Sequence, residues 1–179
     1  MSVPDYRIKA VNSADVQPSG DYVLYWMTAF RRLEDNFSLQ RAVEHAVAFN
    51  RPVLIFEALR SGYQWASVRL HRFVIQGMAD NCDAAAAAGV GYYAYVKPKP
   101  NAGSGLLQEL AKRACVVVTD DFPCFFLPNM LKAVAPRLPV QVEAVDSNGL
   151  SLMRDTDRVF TRAFSFRNHL QKNSGTVSV

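Results

Sequence analysis

Five short runs of apolar, β-forming residues recur along the chain, and helix-length stretches separate them. The runs are Tyr22–Met27 (YVLYWM), 53–56 (VLIF), 92–96 (YYAYV), 115–119 (CVVVT) and 140–145 (VQVEAV). The first, second and fourth carry no polar alternation and read as strands covered on both faces. The fifth alternates more, which predicts a place nearer an edge. Between the runs, Phe37–Phe49 carries a helical stripe of Leu39, Val43, Ala46 and Phe49, with Asp35 or Asn36 as its cap. A longer helix, capped by Ser67 and ending before Gly89, puts Leu70, Phe73, Val74, Gly77, Met78, Asn81 and Ala84/Ala85 on one face. Segments 106–114 and 126–134 complete the crossovers. This β-α-β-α succession predicts an α/β fold, a three-layer doubly wound domain with five parallel strands in the order 3-2-1-4-5. Ligands in such sheets sit beyond the strands' carboxyl ends, where the order reverses. The loops of residues 28–35 and 120–123 are predicted to converge there.

A length of 179 residues suits one full domain, and half the residues are hydrophobic. Residues 1–20 are polar with two prolines and read as an arm over the surface. Residues 21–150 hold the α/β domain, and 151–179 form a connecting segment with a helix over 157–172. That helix has an apolar stripe (Val159, Ala163, Phe166, Leu170) and a mostly basic one (Arg158, Arg162, Ser165, His169, Lys172). The net charge of +4 permits an anionic partner without demanding one. Cys82, Cys115 and Cys124 form no CxxC pair and are expected to be buried reduced thiols. No leader pattern and no apolar run near 20 residues is seen, so a cytoplasmic protein without membrane contact is expected.

No catalytic set assembles. GxSxG, HxxxH, CxxC and Walker patterns are absent, and His45, His71 and His169 fall on three separate helices without metal spacing. Gly103-Ser104-Gly105 opens a helix, either as a plain turn or as backbone amides that hold a phosphate. Asp120 and Asp121 end a buried strand, positioned for a ligand or for capping the next segment. Arg31 and Arg32 face an anionic ligand or pair with Glu34 and Asp35. Trp26 and Met27 serve the core or a cofactor wall.

These residues also carry a resemblance. Trp26-Met27, Arg32 and Asp35-Asn36 resemble the YWM-x(4)-R-x-x-D-N segment that opens class II cyclobutane pyrimidine dimer photolyases. Ala66-Ser67-Val68-Arg69 with Phe73 and Gly77 is similar to their A-T-x-R…F…G helix. Val117-Val118-Thr119-Asp120 resembles their fourth strand, and Val145-Asp146-Ser147-Asn148 their V-D-x-x-N. Phe30, where the family usually has an acidic residue, and Phe122-Pro123-Cys124 depart from the pattern.

The resemblance implies the Rossmann-like antenna domain of the DNA photolyase/cryptochrome family, which can hold a deazaflavin or folate pigment that passes excitation to FAD. It further implies that FAD belongs to a helical partner domain, in the same chain or separate. DNA would be met only through the full-length protein, whose task would be light-driven repair; this chain alone would not photoreactivate. Arg32, Asn36 and Arg69 transfer as motif positions. Trp26, Glu57 and Asp120 are expected crevice lining, and Met27 and Asp121 complete the candidate cofactor-binding set. The same architecture also suits a freestanding nucleotide- or small-ligand-binding sensor, or a scaffold that packs on a partner.

Overall fold

A computed structural model of the chain describes residues 2–99, 102–149, 152, 156 and 158–173. It divides into two compact units, Met1–Ser147 and Asn148–Val179. In the first unit the elements run β1 (Ile8–Ala10), β2 (Tyr22–Met27), α1 (Phe37–Phe49), β3 (Val53–Leu59), α2 (Val68–Ala87), β4 (Gly91–Val96), α3 (Leu106–Ala111), β5 (Ala114–Asp120), α4 (Leu127–Val134) and β6 (Val142–Val145). The sheet order is β1-β6-β5-β2-β3-β4, parallel throughout except for the antiparallel pair β1–β6. Without β1, this is the 3-2-1-4-5 order predicted from the crossovers.

Strand alternation sorts the core into two layers. Tyr25, Met27, Ile55, Val116 and Val118 face α1 with Ala42 and Ala46. Leu24, Trp26, Phe56 and Val117 face the other way, toward Leu107 and Ala111 of α3 and Leu138 after α4. Every residue of β5 is buried, as its apolar run requires. Gly20 is needed just before β2, because a Cβ there would meet the backbone of β5, 2.5 Å from Cys115 N.

The polar lead is not wholly an arm over the surface. Ile8, Lys9 and Ala10 pair with Val145, Ala144 and Glu143. The Arg7 guanidinium donates to the Asp146 carbonyl at 3.0 Å and lies 4.5 Å from the centroid of the Phe37 ring. β6 is therefore buried at all four positions instead of lying at an edge. Its alternation comes from Glu143, a buried carboxylate bound by Arg41 (2.8 Å) and His45 (2.9 Å) of α1. The outer strand on the other side is β4, whose Tyr93 and Val96 are exposed.

Burial alone would raise the Glu143 pKa, but hydrogen bonds and charge from His45 and Arg41 outweigh it and lower it from about 4.5 to about 2. A lowered carboxylate pKa contributes stability that is fully present above the unfolded value and is lost as pH falls through the folded one. The stability advantage of the wild type over Glu143→Gln is thus expected to shrink between about pH 4.5 and about pH 2. Urea denaturation across that range checks it; an advantage independent of pH would contradict the pairing.

Three further expectations are corrected. Leu70 and Phe73 of α2 are exposed, at 44% and 76%, and only Met78, Asn81 and Ala85 are buried. A 20-residue helix is about 30 Å long, whereas the six-residue strand β4 spans only about 20 Å, so the first turns of α2 outrun the sheet. Cys82 and Cys124 are exposed, and only Cys115 is buried. In the second unit the helix is α5 (Ala163–Asn173) and starts later than predicted. Phe160 folds back to 5.3 Å from Phe166 and 5.0 Å from His169, which needs the chain to turn before the helix begins. Asp157 lies outside the described residues.

Candidate functional site

The chain leaves β2 at the point where the strand order reverses, and the loop of residues 28–36 is fastened from below by Asp120, the last residue of β5. One carboxylate oxygen accepts from the backbone amides of Thr28 (2.8 Å), Ala29 (2.7 Å) and Phe30 (3.1 Å). The other accepts from the Tyr25 hydroxyl at 2.8 Å. Burial first, and then the Asp120 charge, push the Tyr25 phenol well above its ordinary range, so it remains a donor. Asn36 completes the fastening. Its amide nitrogen reaches the Tyr25 hydroxyl and the carbonyls of Phe30 and Arg32, while its oxygen caps α1 by accepting from Leu39 N at 3.1 Å.

A second cluster lies one strand over. Glu57 of β3 is fully buried. It accepts from Arg31 (2.7 Å), from Asn81 of α2 (3.1 Å) and from the Tyr92 hydroxyl of β4. Arg31 also donates to the Ala58 carbonyl at 2.9 Å, so its guanidinium is held at two points. Burial, followed by the Glu57 hydrogen bond and charge, raises the Tyr92 phenol far above its normal value.

Above the carboxyl ends of β2, β3 and β4, on the face opposite α1, opens a cavity of about 760 Å³. Trp26, Phe56, Ala58 and Tyr95 form its floor, and Phe126, Leu127, Met130 and Val134 of the α4 region form one wall. Gly103-Ser104-Gly105 closes the opposite side. Gly103 has φ +70°, and a Cβ there would meet the Tyr95 ring at 2.6 Å, so this close approach needs glycine. Arg31, Arg60, Lys97 and Arg137 also line the cavity. A small hollow lined by Asp120, Asp121 and Phe122 adjoins it and shares Trp26, Thr28, Leu127 and Met130.

Of the candidate cofactor-binding set, only Trp26 lines this cavity, although Arg31 and Gly103-Ser104-Gly105, also singled out from sequence, line it too. Met27 is fully buried on the opposite face, since neighbours on a strand point to opposite sides. Arg32 is exposed and binds its own loop, at the carbonyls of Glu34 (3.1 Å) and Asp35 (3.0 Å). Its neighbour Arg31 takes the cavity side. Asn36, Glu57 and Asp120 are buried and committed to protein hydrogen bonds, Asp121 borders the small hollow, and Arg69 is exposed at the start of α2. Sequence reasoning missed Phe56 and Tyr95. Phe56 was accessible to it, because Trp26 and Phe56 are paired neighbours on adjacent strands.

Fold and site together define a doubly wound α/β domain with an aromatic-floored crevice at the reversal of strand order. No protein-family model matches the chain. Over 74 residues, 41% of this chain, it is 34% identical to a deoxyribodipyrimidine photo-lyase of Methanothermobacter thermautotrophicus. The match spans 17% of that relative's length and supports a photolyase-like relationship for this stretch. Among solved structures, the universal stress protein from Archaeoglobus fulgidus is similar at TM-score 0.44 and 11% identity, covering 68% of this chain and 98% of that one. The structure of the universal stress protein from Archaeoglobus fulgidus in complex with dAMP gives TM-score 0.44 and 12% identity, with 68% and 97% covered.

Proposed function

We propose that this chain is the antenna-type N-terminal domain of a deoxyribodipyrimidine photolyase-like protein, and that its cavity holds a light-harvesting pigment, a deazaflavin or a folate. The observation that carries the reading is the cavity itself. Its volume of about 760 Å³ is within the range of small-molecule sites, and its floor is aromatic. The photolyase similarity over 74 residues supports the choice of ligand class. Trp26, Phe56, Tyr95 and Phe126 would pack on the pigment and exclude water, and Arg31, fixed by Glu57, would orient its polar edge. The bound pigment would supply light absorption and pass the excitation on. FAD, repair of pyrimidine dimers and contact with DNA would belong to the full-length protein through a helical domain, toward which residues 151–179 would lead. Among the described residues no helix is long and apolar enough to cross a membrane, and a cytoplasmic location is part of the same proposal.

The test is a visible absorption and fluorescence titration of the purified chain with a deazaflavin, a reduced folate and FAD. A saturable shift with deazaflavin or folate, and none with FAD, is the expected result. No binding to any of the three would overturn the pigment reading. The cationic lining favours one second reading, a freestanding nucleotide-binding regulatory module, which stabilisation by ATP in a thermal-shift assay would support.

A further inference from the structure

We propose that the cavity over β2, β3 and β4 selects a planar ring bearing an anionic tail, a phosphate or carboxylate, and that Arg60, Lys97 and Arg137 provide the selectivity. The inference rests on the proposed pigment site for the ring and on the charge distribution for the tail.

Four cationic side chains line the cavity, and its described lining contains no Asp or Glu. Only one of the four is neutralised: Arg31 pairs with Glu57, whereas Arg60, Lys97 and Arg137 have no carboxylate partner among the described residues. Asp120 borders the adjoining hollow, but its oxygens are taken up by the loop amides and Tyr25. Cations that surround a concave site with apolar walls reinforce one another, because the field is focused there and less screened than on an open surface. The two chemistries are also separated in space. The aromatic floor comes from β2, β3 and β4. The cations come from the chain beyond those strands and from the turn after α4, with Arg60 stacked 5.6 Å from the centroid of the Phe126 ring. A ring on the floor with an anion reaching the rim satisfies both.

FMN and riboflavin share a ring system and differ by one phosphate, so fluorescence titrations with the two isolate the tail. FMN is expected to bind about tenfold more tightly at about 0.1 M salt, with the advantage fading toward about 1 M as the screening length falls from about 10 Å to about 3 Å. In Lys97→Gln and Arg137→Gln the affinity for FMN should drop several-fold toward that for riboflavin. Equal affinities for the two flavins would overturn the charge inference and leave the pigment reading standing. If neither flavin nor folate binds but AMP does, with the same salt dependence, the pigment reading falls and the anion selectivity is upheld. Failure of all of these ligands to bind would overturn both.

Discussion

Asp120→Ala is expected to destabilise the protein by about 3–5 kcal/mol, because two buried donors, Phe30 N and the Tyr25 hydroxyl, lose their acceptor at about 1–3 kcal/mol each and the charge-assisted bonds to Thr28 and Ala29 go as well. Asp120→Asn should be milder. One carbonyl oxygen still serves the loop amides, but the new NH₂ faces a Tyr25 hydroxyl that already receives Asn36, and the tyrosine proton is left without an acceptor. Urea denaturation measures the loss. Limited proteolysis should show cleavage within residues 28–35 in the alanine variant first. A wild-type midpoint for Asp120→Ala would mean that the loop holds its shape without this carboxylate.

Glu57→Ala is the second large effect, about 3–5 kcal/mol, since Asn81 and the Tyr92 hydroxyl lose a charged acceptor at about 1–3 kcal/mol each and the bond from Arg31 goes as well. Three donors lose their acceptor together: Arg31, Asn81 and the Tyr92 hydroxyl. Arg31 is partly exposed and can find water, whereas Glu57 cannot. Arg31→Ala is therefore expected to cost a comparable amount through the buried carboxylate it strands, and the double variant Arg31→Ala/Glu57→Ala should cost less than the sum of the two. Additive losses in that cycle would show that the two side chains act independently.

These two carboxylates also show where sequence reasoning reached and where it stopped. Asp120 was legible as a polar residue at a strand end and Glu57 as the residue after the run VLIF, although β3 carries on to Leu59. The strands themselves were legible because buried parallel strands leave uninterrupted apolar runs such as YVLYWM and CVVVT. Their partners were not. The amides that saturate Asp120 lie about 90 residues earlier, and Glu57 is enclosed by side chains from a loop, a helix and a neighbouring strand. Arg31 and Arg32 look alike in the sequence, and only the loop shape imposed by Asp120 decides which one turns to the cavity. Met27 could have been excluded from the lining by alternation once Trp26 was placed there. β1 left no signal to read: its three residues, Ile-Lys-Ala, join the sheet mainly through backbone bonds and carry no apolar period.

That small strand bears on how the molecule assembles over time. Ile8–Ala10 leaves the ribosome before the other strands of the sheet, yet its partner Val142–Val145 emerges only after they have been made. Contacts so distant along the chain are slow to close, and the N-terminal segment has to wait unpaired in the meantime. Once it docks, Arg7 and Asp146 are joined through backbone and side chain. The step that finishes one margin of the sheet thus doubles as a check that synthesis has carried through to β6.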